Sequence, residues 1–132
     1  MVSDSYTLRY LLQATRDVPE RIVWREQKAG DLVTDVDGVE VLLTEVSSRA
    51  GIRVGLRFRC GNDEFWLYSP LPFGWSRRRY ASAEEQELAE LLPELFRAAR
   101  AQCARKKSHD AEHGEEIRER VYRQLLFGPS GA

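Results

Sequence analysis

Apolar positions over residues 4–16 follow the period of a helix. They recur three and four residues apart, at Leu8, Leu11, Leu12 and Thr15, and this spacing places them on one helical face. We expect Asp4 to cap the first turn. Proline disfavours helical backbone in the residue before it, so Val18-Pro19 is expected to end the helix.

The period changes to that of strands after Pro19. Alternating apolar and polar residues predict five strands, near residues 21–25, 32–36, 39–46, 52–60 and 65–69. Asp37-Gly38 separates the second from the third, and this dipeptide readily adopts the positive φ angles of a tight hairpin. The short connections predict an antiparallel meander with one face against helices. Trp24 and Cys60 fall on the apolar sides of their strands, which predicts a core indole and a core thiol.

Two further helices are predicted in the last third of the chain. Ser82 and Glu85 form a capping box, and an apolar stripe follows at Leu88, Leu91, Leu92, Leu95, Phe96 and Ala99. Pro93 predicts a kink, or a break with Pro93 in the first turn of the next helix. Ser108–Gly114 has the composition of an interhelical turn, and a last helix is expected over 111–126. The predicted fold is α+β: an N-terminal helix, a five-stranded antiparallel meander and a C-terminal helical pair packed on one face of the sheet.

The bulk properties fit one soluble domain. The chain has 132 residues, 20 basic and 21 acidic side chains and a net charge of −1, so we expect one core over residues 1–127 and a disordered tail at 128–132. Binders of nucleic acid or membrane surfaces usually carry a positive excess. The N-terminus lacks the pattern of a signal peptide, and no apolar run could span a membrane. We therefore expect a cytoplasmic protein whose Cys60 and Cys103 are free thiols.

Residues 65–80 hold the strongest candidate binding surface. Phe65–Tyr68 is apolar on both faces of its strand, whereas a half-buried strand alternates. Either the next segment covers the second face, or an aromatic surface is left for a partner, including a second copy of the chain. That next segment contains Trp75, Arg77, Arg78, Arg79 and Tyr80. Arginines flanked by rings suit a protein surface, or phosphates and bases. The alternative is a connecting loop whose rings plug the sheet while its arginines stay in water.

A second arginine-rich surface follows from the alternation of the strands. Arg53, Arg57 and Arg59 share one strand face, and Arg21 and Arg25 share another. They form either a basic stripe or cross-strand ion pairs with Asp35, Glu40 and Glu45. Cross-strand pairing is the ordinary arrangement in such a sheet, so we expect these arginines to form ion pairs.

Catalytic motifs are lacking in the sequence, and no cofactor is expected. Nearby cationic residues could lower the pKa of Cys103, and His109 and His113 are four residues apart, as two zinc ligands on a helix can be. We expect a non-catalytic protein-binding module, an adaptor, regulator or inhibitor, that uses Trp66, Tyr68, Trp75, Arg77, Arg78, Arg79 and Tyr80. The alternatives are a nucleic-acid binder that uses the arginines, and a small enzyme or metal protein centred on Cys103, His109 and His113.

Overall fold

The computed structural model of the chain describes residues 3–49, 51–70 and 82–128. The elements, in chain order, are α1 (Asp4–Arg16), β1 (Arg25–Glu26), a 3-10 turn (Lys28–Gly30), β2 (Leu32–Val36), β3 (Val39–Ser48), β4 (Gly51–Cys60), β5 (Asp63–Tyr68) and α2 (Ala83–Phe127). The strands form one antiparallel sheet in the order β1-β2-β3-β4-β5. The predicted meander and the N-terminal helix are therefore confirmed.

The hairpin between β2 and β3 turns where the sequence predicts. Asp37 has φ +50° and Gly38 has φ +82°, which are the two positive angles of a tight two-residue turn. The cap of α1 is different from the prediction, because Ser3 Oγ, not Asp4, accepts a hydrogen bond from the Tyr6 N–H (3.1 Å). Asp4 lies in the first turn instead, where a carboxylate complements the helix dipole.

Helix α2 packs on one face of the sheet, and α1 lies alongside α2. Arg9 bonds Glu87 (2.7 Å) and Arg16 bonds Glu94 (2.9 Å). Residue numbers rise together in these two pairs, so α1 and α2 run parallel. Beneath them lies one apolar cluster, which includes Leu8, Leu11, Trp24, Leu43, Leu56, Leu92, Leu95 and Phe96. Trp24 is 1% exposed, as predicted for a core indole, although β1 itself is reduced to Arg25–Glu26.

A buried polar side chain ties α2 to the chain that follows α1. The Gln102 amide donates to the carbonyls of Thr15 (3.2 Å) and Ile22 (2.8 Å) and accepts from the Trp24 N–H (2.7 Å). The Trp24 indole N–H in turn donates to Thr15 Oγ1 (2.9 Å). Because the segment between α1 and β1 has few ladder partners, Gln102 satisfies backbone groups that would otherwise be buried without hydrogen bonds.

The predicted C-terminal helical pair is wrong. Residues 83–127 form a single α-helix that contains Pro93 and continues through the expected turn at Ser108–Gly114. Leucines and Phe96 on both sides of Pro93 are packed in the core, and this packing holds the helix together across the proline. Ser108 and Gly114 weaken a helix by only about 1 kcal/mol or less each, which is too little to break it. A turn would also need a surface on which the second helix could pack.

Cys60 is not the core thiol that the alternation predicts. It is exposed, whereas Cys103 is buried, and both are free. Cys60 points to the same side as the buried Phe58, but it is the last residue of β4 and lies outside the apolar cluster. Strand periodicity indicates which face a side chain occupies, and the ends of the covering helices decide whether that face is buried.

Candidate interaction surfaces

The sheet face opposite the helices carries a stack of rings and guanidinium groups. The register places Arg57 opposite Trp66 and Gly55 opposite Tyr68. The rings of Trp66 and Tyr68 are nearly parallel, 5° apart, with centroids 5.6 Å from each other. Arg53 lies over the Tyr68 ring (5.3 Å) and Arg57 over the Trp66 ring (5.8 Å). We call these four side chains the outer ladder.

Gly55 creates the space in which the two rings lie against the strand. A Cβ atom at this position would come within 3.2 Å of Tyr68 and 3.3 Å of Trp66. The missing side chain therefore lets both rings pack flat on β4, and each ring covers a backbone that a glycine would leave open to water. Even so, 40% of Tyr68 is exposed, so the ladder presents an aromatic surface to solvent.

Charges next to the ladder are mostly neutralised within the sheet. Arg57 pairs with Glu40, Arg25 with Asp35 (2.9 Å) and Arg59 with Glu64 (3.5 Å). The predicted cross-strand pairs of Arg25 and Arg57 are thus confirmed. Arg53 instead donates from its Nε to the Ser69 carbonyl (2.9 Å), and Glu45 bonds Arg100 of α2 from the helix-covered side. The outer face is therefore aromatic with balanced charge, not a basic stripe.

Only part of the predicted binding surface falls within the described residues. Trp66 and Tyr68 come together in the outer ladder. Trp75, Arg77, Arg78, Arg79 and Tyr80 lie outside the described residues. Arg53 and Arg57 join the aromatic pair although sequence reasoning assigned them to ion pairing. The sequence feature that could have predicted this contact is the Gly61-Asn62 turn, because a two-residue hairpin at this point places Arg57 opposite Trp66.

The second exposed surface is the outer part of α2, residues 104–127, which we call the distal helix. Every described residue in it is exposed. Its large apolar side chains cluster near the end, at Ile117, Val121, Tyr122, Leu125, Leu126 and Phe127, and the exposed fractions reach 77% for Leu125 and 81% for Phe127. The distal helix is roughly 36 Å long at 1.5 Å per residue. It extends beyond the core that holds the first half of α2.

The candidate nucleophile and metal ligands do not assemble into a centre. Burial raises the pKa of the Cys103 thiol, Glu26 acts in the same direction, and Lys106 and Lys107 only oppose them. The Cys103 Sγ lies 3.4 Å from the Trp24 carbonyl. Within the described ranges, no group of three or more His, Cys, Asp or Glu side chains could hold a metal ion. The rings of His109 and His113 are stacked 6.5 Å apart on the exposed helix.

The other shifted groups are explained by local ion pairs. Hydrogen bonds from Gln13 and then Arg21 hold the pKa of Asp17 below its ordinary value. A hydrogen bond to Glu26 (2.8 Å) raises the pKa of Lys107. A shallow cavity of about 260 Å³ lies between α2 and the segment after α1, lined by Glu20, Val23, Trp24, Gln102, Arg105, Lys106 and His109. Neither Asp17 nor Lys107 lines it, so shifted groups and cavity do not converge on one site.

Neither described helix combines the length and the apolar character needed to cross a bilayer. Comparison of the chain with protein-family models finds no matching family, and comparisons with curated proteins and with solved structures find no match. The function of the chain is therefore inferred from its two exposed surfaces, the outer ladder and the distal helix.

Proposed function

We propose that this protein is a non-catalytic binding module that contacts another protein through the outer ladder. The observation that carries the proposal is the partly exposed Trp66–Tyr68 pair held between two guanidinium groups. Tryptophan, tyrosine and arginine are the residues most enriched at the energetic centres of protein interfaces. Rings fixed by stacking lose little conformational entropy when a partner covers them. Trp75, Arg77, Arg78, Arg79 and Tyr80 follow β5 in the chain, and we include them in the proposed surface.

Charge balance favours a protein over a nucleic acid as the partner. Three of the four arginines on the described outer face of the sheet are paired with carboxylates, so the sheet itself leaves few positive charges to neutralise phosphates, and the whole chain has a net charge of −1. Nucleic-acid affinity depends on such contacts and falls steeply with salt. A partner protein instead requires aromatic contact area with a polar rim, and the paired charges around the ladder supply that rim.

The test compares two tyrosines in similar settings. Tyr68 stacks with Arg53 in the ladder, and Tyr10 stacks with Arg21 on α1 (5.4 Å). Tagged wild-type protein, Tyr68→Ala and the matched control Tyr10→Ala are used to capture binding partners from an extract of native cells. We expect a stoichiometric protein partner that is retained by Tyr10→Ala and lost with Tyr68→Ala, while both variants unfold near the wild-type midpoint.

Two results would contradict the proposal. One is equal capture by both tyrosine variants. The other is capture of nucleic acid that is released by moderate salt. In that case the amount captured should also fall as more arginines are neutralised by substitution. Replacing Arg53 with Lys sharpens the test, because it keeps the charge but removes the planar group that stacks on Tyr68. Loss of protein capture in Arg53→Lys would support the ladder over simple charge.

A further inference from the structure

Among the described residues, the distal helix is joined to its own domain mainly near its base, where Lys107 pairs with Glu26 (2.8 Å) and His109 lines the cavity beside the segment after α1. Residues 104–127 are exposed where described, and helices in proteins are stabilised mainly by packing of an apolar face. The Glu119–Arg123 ion pair (2.8 Å) is exposed, and such a pair stabilises a helix only slightly. Gly114 in the middle of the segment weakens the helix relative to alanine. A partner that covers the apolar stripe would stabilise the helix.

Charges along the distal helix are separated into blocks. Its middle carries four carboxylates, at Asp110, Glu112, Glu115 and Glu116, and its outer part carries three arginines, at Arg118, Arg120 and Arg123, with one glutamate. In a parallel pair of identical helices, each block would face a block of the same sign. In an antiparallel pair with its two-fold axis near Ile117, the acidic block of each copy faces the arginine block of the other.

We propose that two copies of this chain associate through their distal helices, which lie antiparallel with the two-fold axis close to Ile117. The occupant of the exposed apolar stripe is therefore a second copy. The pairing brings opposite charges together on both sides of the axis. It covers Ile117 and Val121, which are apolar and about half exposed in the single chain.

Side-chain sizes along the stripe fit the same arrangement. Ala111, Gly114, Ile117, Val121 and Leu125 follow one another at steps of three or four residues, so they share one side of the helix. With the axis near Ile117, Val121 of one copy falls opposite the turn that holds Ala111 and Gly114 of the other. Small residues opposite large ones let the two backbones approach closely.

The helix ends are also complementary. The last turn of α2 contains no basic residue, so the negative end of its dipole is not compensated by a cation of its own. In the antiparallel pair, that end lies beside Arg105 and Lys106 at the base of the partner helix. This contact further favours the antiparallel over the parallel arrangement.

Sedimentation equilibrium of the full-length chain tests the association. We expect wild-type protein to approach twice the 15.2 kDa chain mass as its concentration rises. One variant carries Arg118→Glu, Arg120→Glu and Arg123→Glu, and a second carries Asp110→Lys, Glu112→Lys, Glu115→Lys and Glu116→Lys. Each alone should stay monomeric, and an equimolar mixture should regain the dimer mass. Ile52→Glu is the control, because Ile52 is an exposed apolar residue on β4 and its replacement should leave the dimer intact.

Disulfide cross-linking tests the orientation without altering the charge blocks. In a Cys60→Ser background, Ile117→Cys near the axis should cross-link two chains under mild oxidation. Leu126→Cys should not, because antiparallel helices separate these positions by roughly 27 Å at 1.5 Å per residue. A wild-type monomer at all concentrations would overturn the proposal, as would efficient cross-linking at Leu126, with or without cross-linking at Ile117, or failure of the mixed variants to associate. A monomer that still captures a partner through Tyr68 would overturn only this inference and leave the proposed function standing.

Discussion

The two halves of α2 belong to one continuous helix but have opposite environments. Residues 83–103, the proximal half, place Leu92, Leu95, Phe96 and Ala99 in the core and use Gln102 to satisfy buried backbone groups. Residues 104–127 are exposed and end in a cluster of apolar side chains. The domain needs only the proximal half for its core. The distal half is therefore available for a contact between molecules. Substitutions at matched positions in the two halves should distinguish a role in folding from a role in association.

The largest difference is expected for the two glutamines of the helix. Gln102→Ala removes three hydrogen bonds to buried backbone groups and should lower the free energy of unfolding by about 4 kcal/mol. Gln124→Ala, at an exposed distal position, should change it by less than about 0.5 kcal/mol. Urea denaturation of both variants measures the difference. Equal losses would mean that the distal half is part of the cooperative fold.

A pair of leucines extends the comparison to apolar packing. Leu95 is completely buried, so Leu95→Ala should cost about 3 kcal/mol through lost burial and the cavity left behind. Leu125→Ala should leave the unfolding midpoint of the dilute monomer unchanged, since Leu125 is 77% exposed. A large destabilisation by Leu125→Ala in dilute solution would show that the distal helix packs on its own domain.

A pair of glycines should give effects of opposite sign. Gly114 lies in the distal helix with open space around its Cβ position, so Gly114→Ala should stabilise that helix by about 1 kcal/mol, seen as increased helical circular dichroism. Gly38 has φ +82°, a conformation that alanine disfavours, so Gly38→Ala should destabilise the whole domain by about 1 kcal/mol. If Gly114→Ala lowers helical content, the segment bends at this residue in solution.

The two native thiols should differ in reactivity and not in stability. Cys60 is exposed and should react rapidly with a thiol reagent at neutral pH. Cys103 is buried, and burial raises the pKa of its thiol, so less thiolate forms and it should react only after unfolding. Ala111→Cys, in the exposed distal helix, should react as fast as Cys60. Rapid reaction of Cys103 in native protein would show that the proximal half of α2 opens locally.

Local sequence patterns correctly predicted the elements that depend least on contacts with other parts of the fold. The period of Leu8, Leu11 and Leu12 and the turn chemistry of Asp37-Gly38 are sufficient to place α1 and the first hairpin, because both are determined within a few residues. Ser108 and Gly114 predicted a turn by the same reasoning, and there the prediction failed. The described residues of this segment are exposed, so the good helix formers around Ser108 and Gly114 keep it helical, and these two residues weaken the helix only slightly.

Contacts between distant elements could be predicted only in part. Gln102 lies seven residues after Leu95 and three after Ala99, so its position predicts that it faces the core. Its three hydrogen bonds to backbone groups could not be predicted from the sequence. The sequence predicted the aromatic excess of Phe65–Tyr68. It did not predict the outer ladder, because the contacts between these four side chains follow from the register of β4 and β5. The blocks of acidic and basic residues in the distal helix can be read from the sequence. They suggest helix pairing only because the structure shows that residues 104–127 form one exposed helix.

Amide hydrogen exchange at two protein concentrations tests the division of α2 most directly. The account predicts slow exchange for residues 92–103 at both concentrations, because these amides lie in the folded core. Amides of residues 110–125 should exchange rapidly in dilute protein and become protected as the concentration rises, since the proposed second copy would cover them. Protection of the distal amides that is the same at both concentrations, or no protection even in concentrated protein, would contradict the assignment of this helix to self-association.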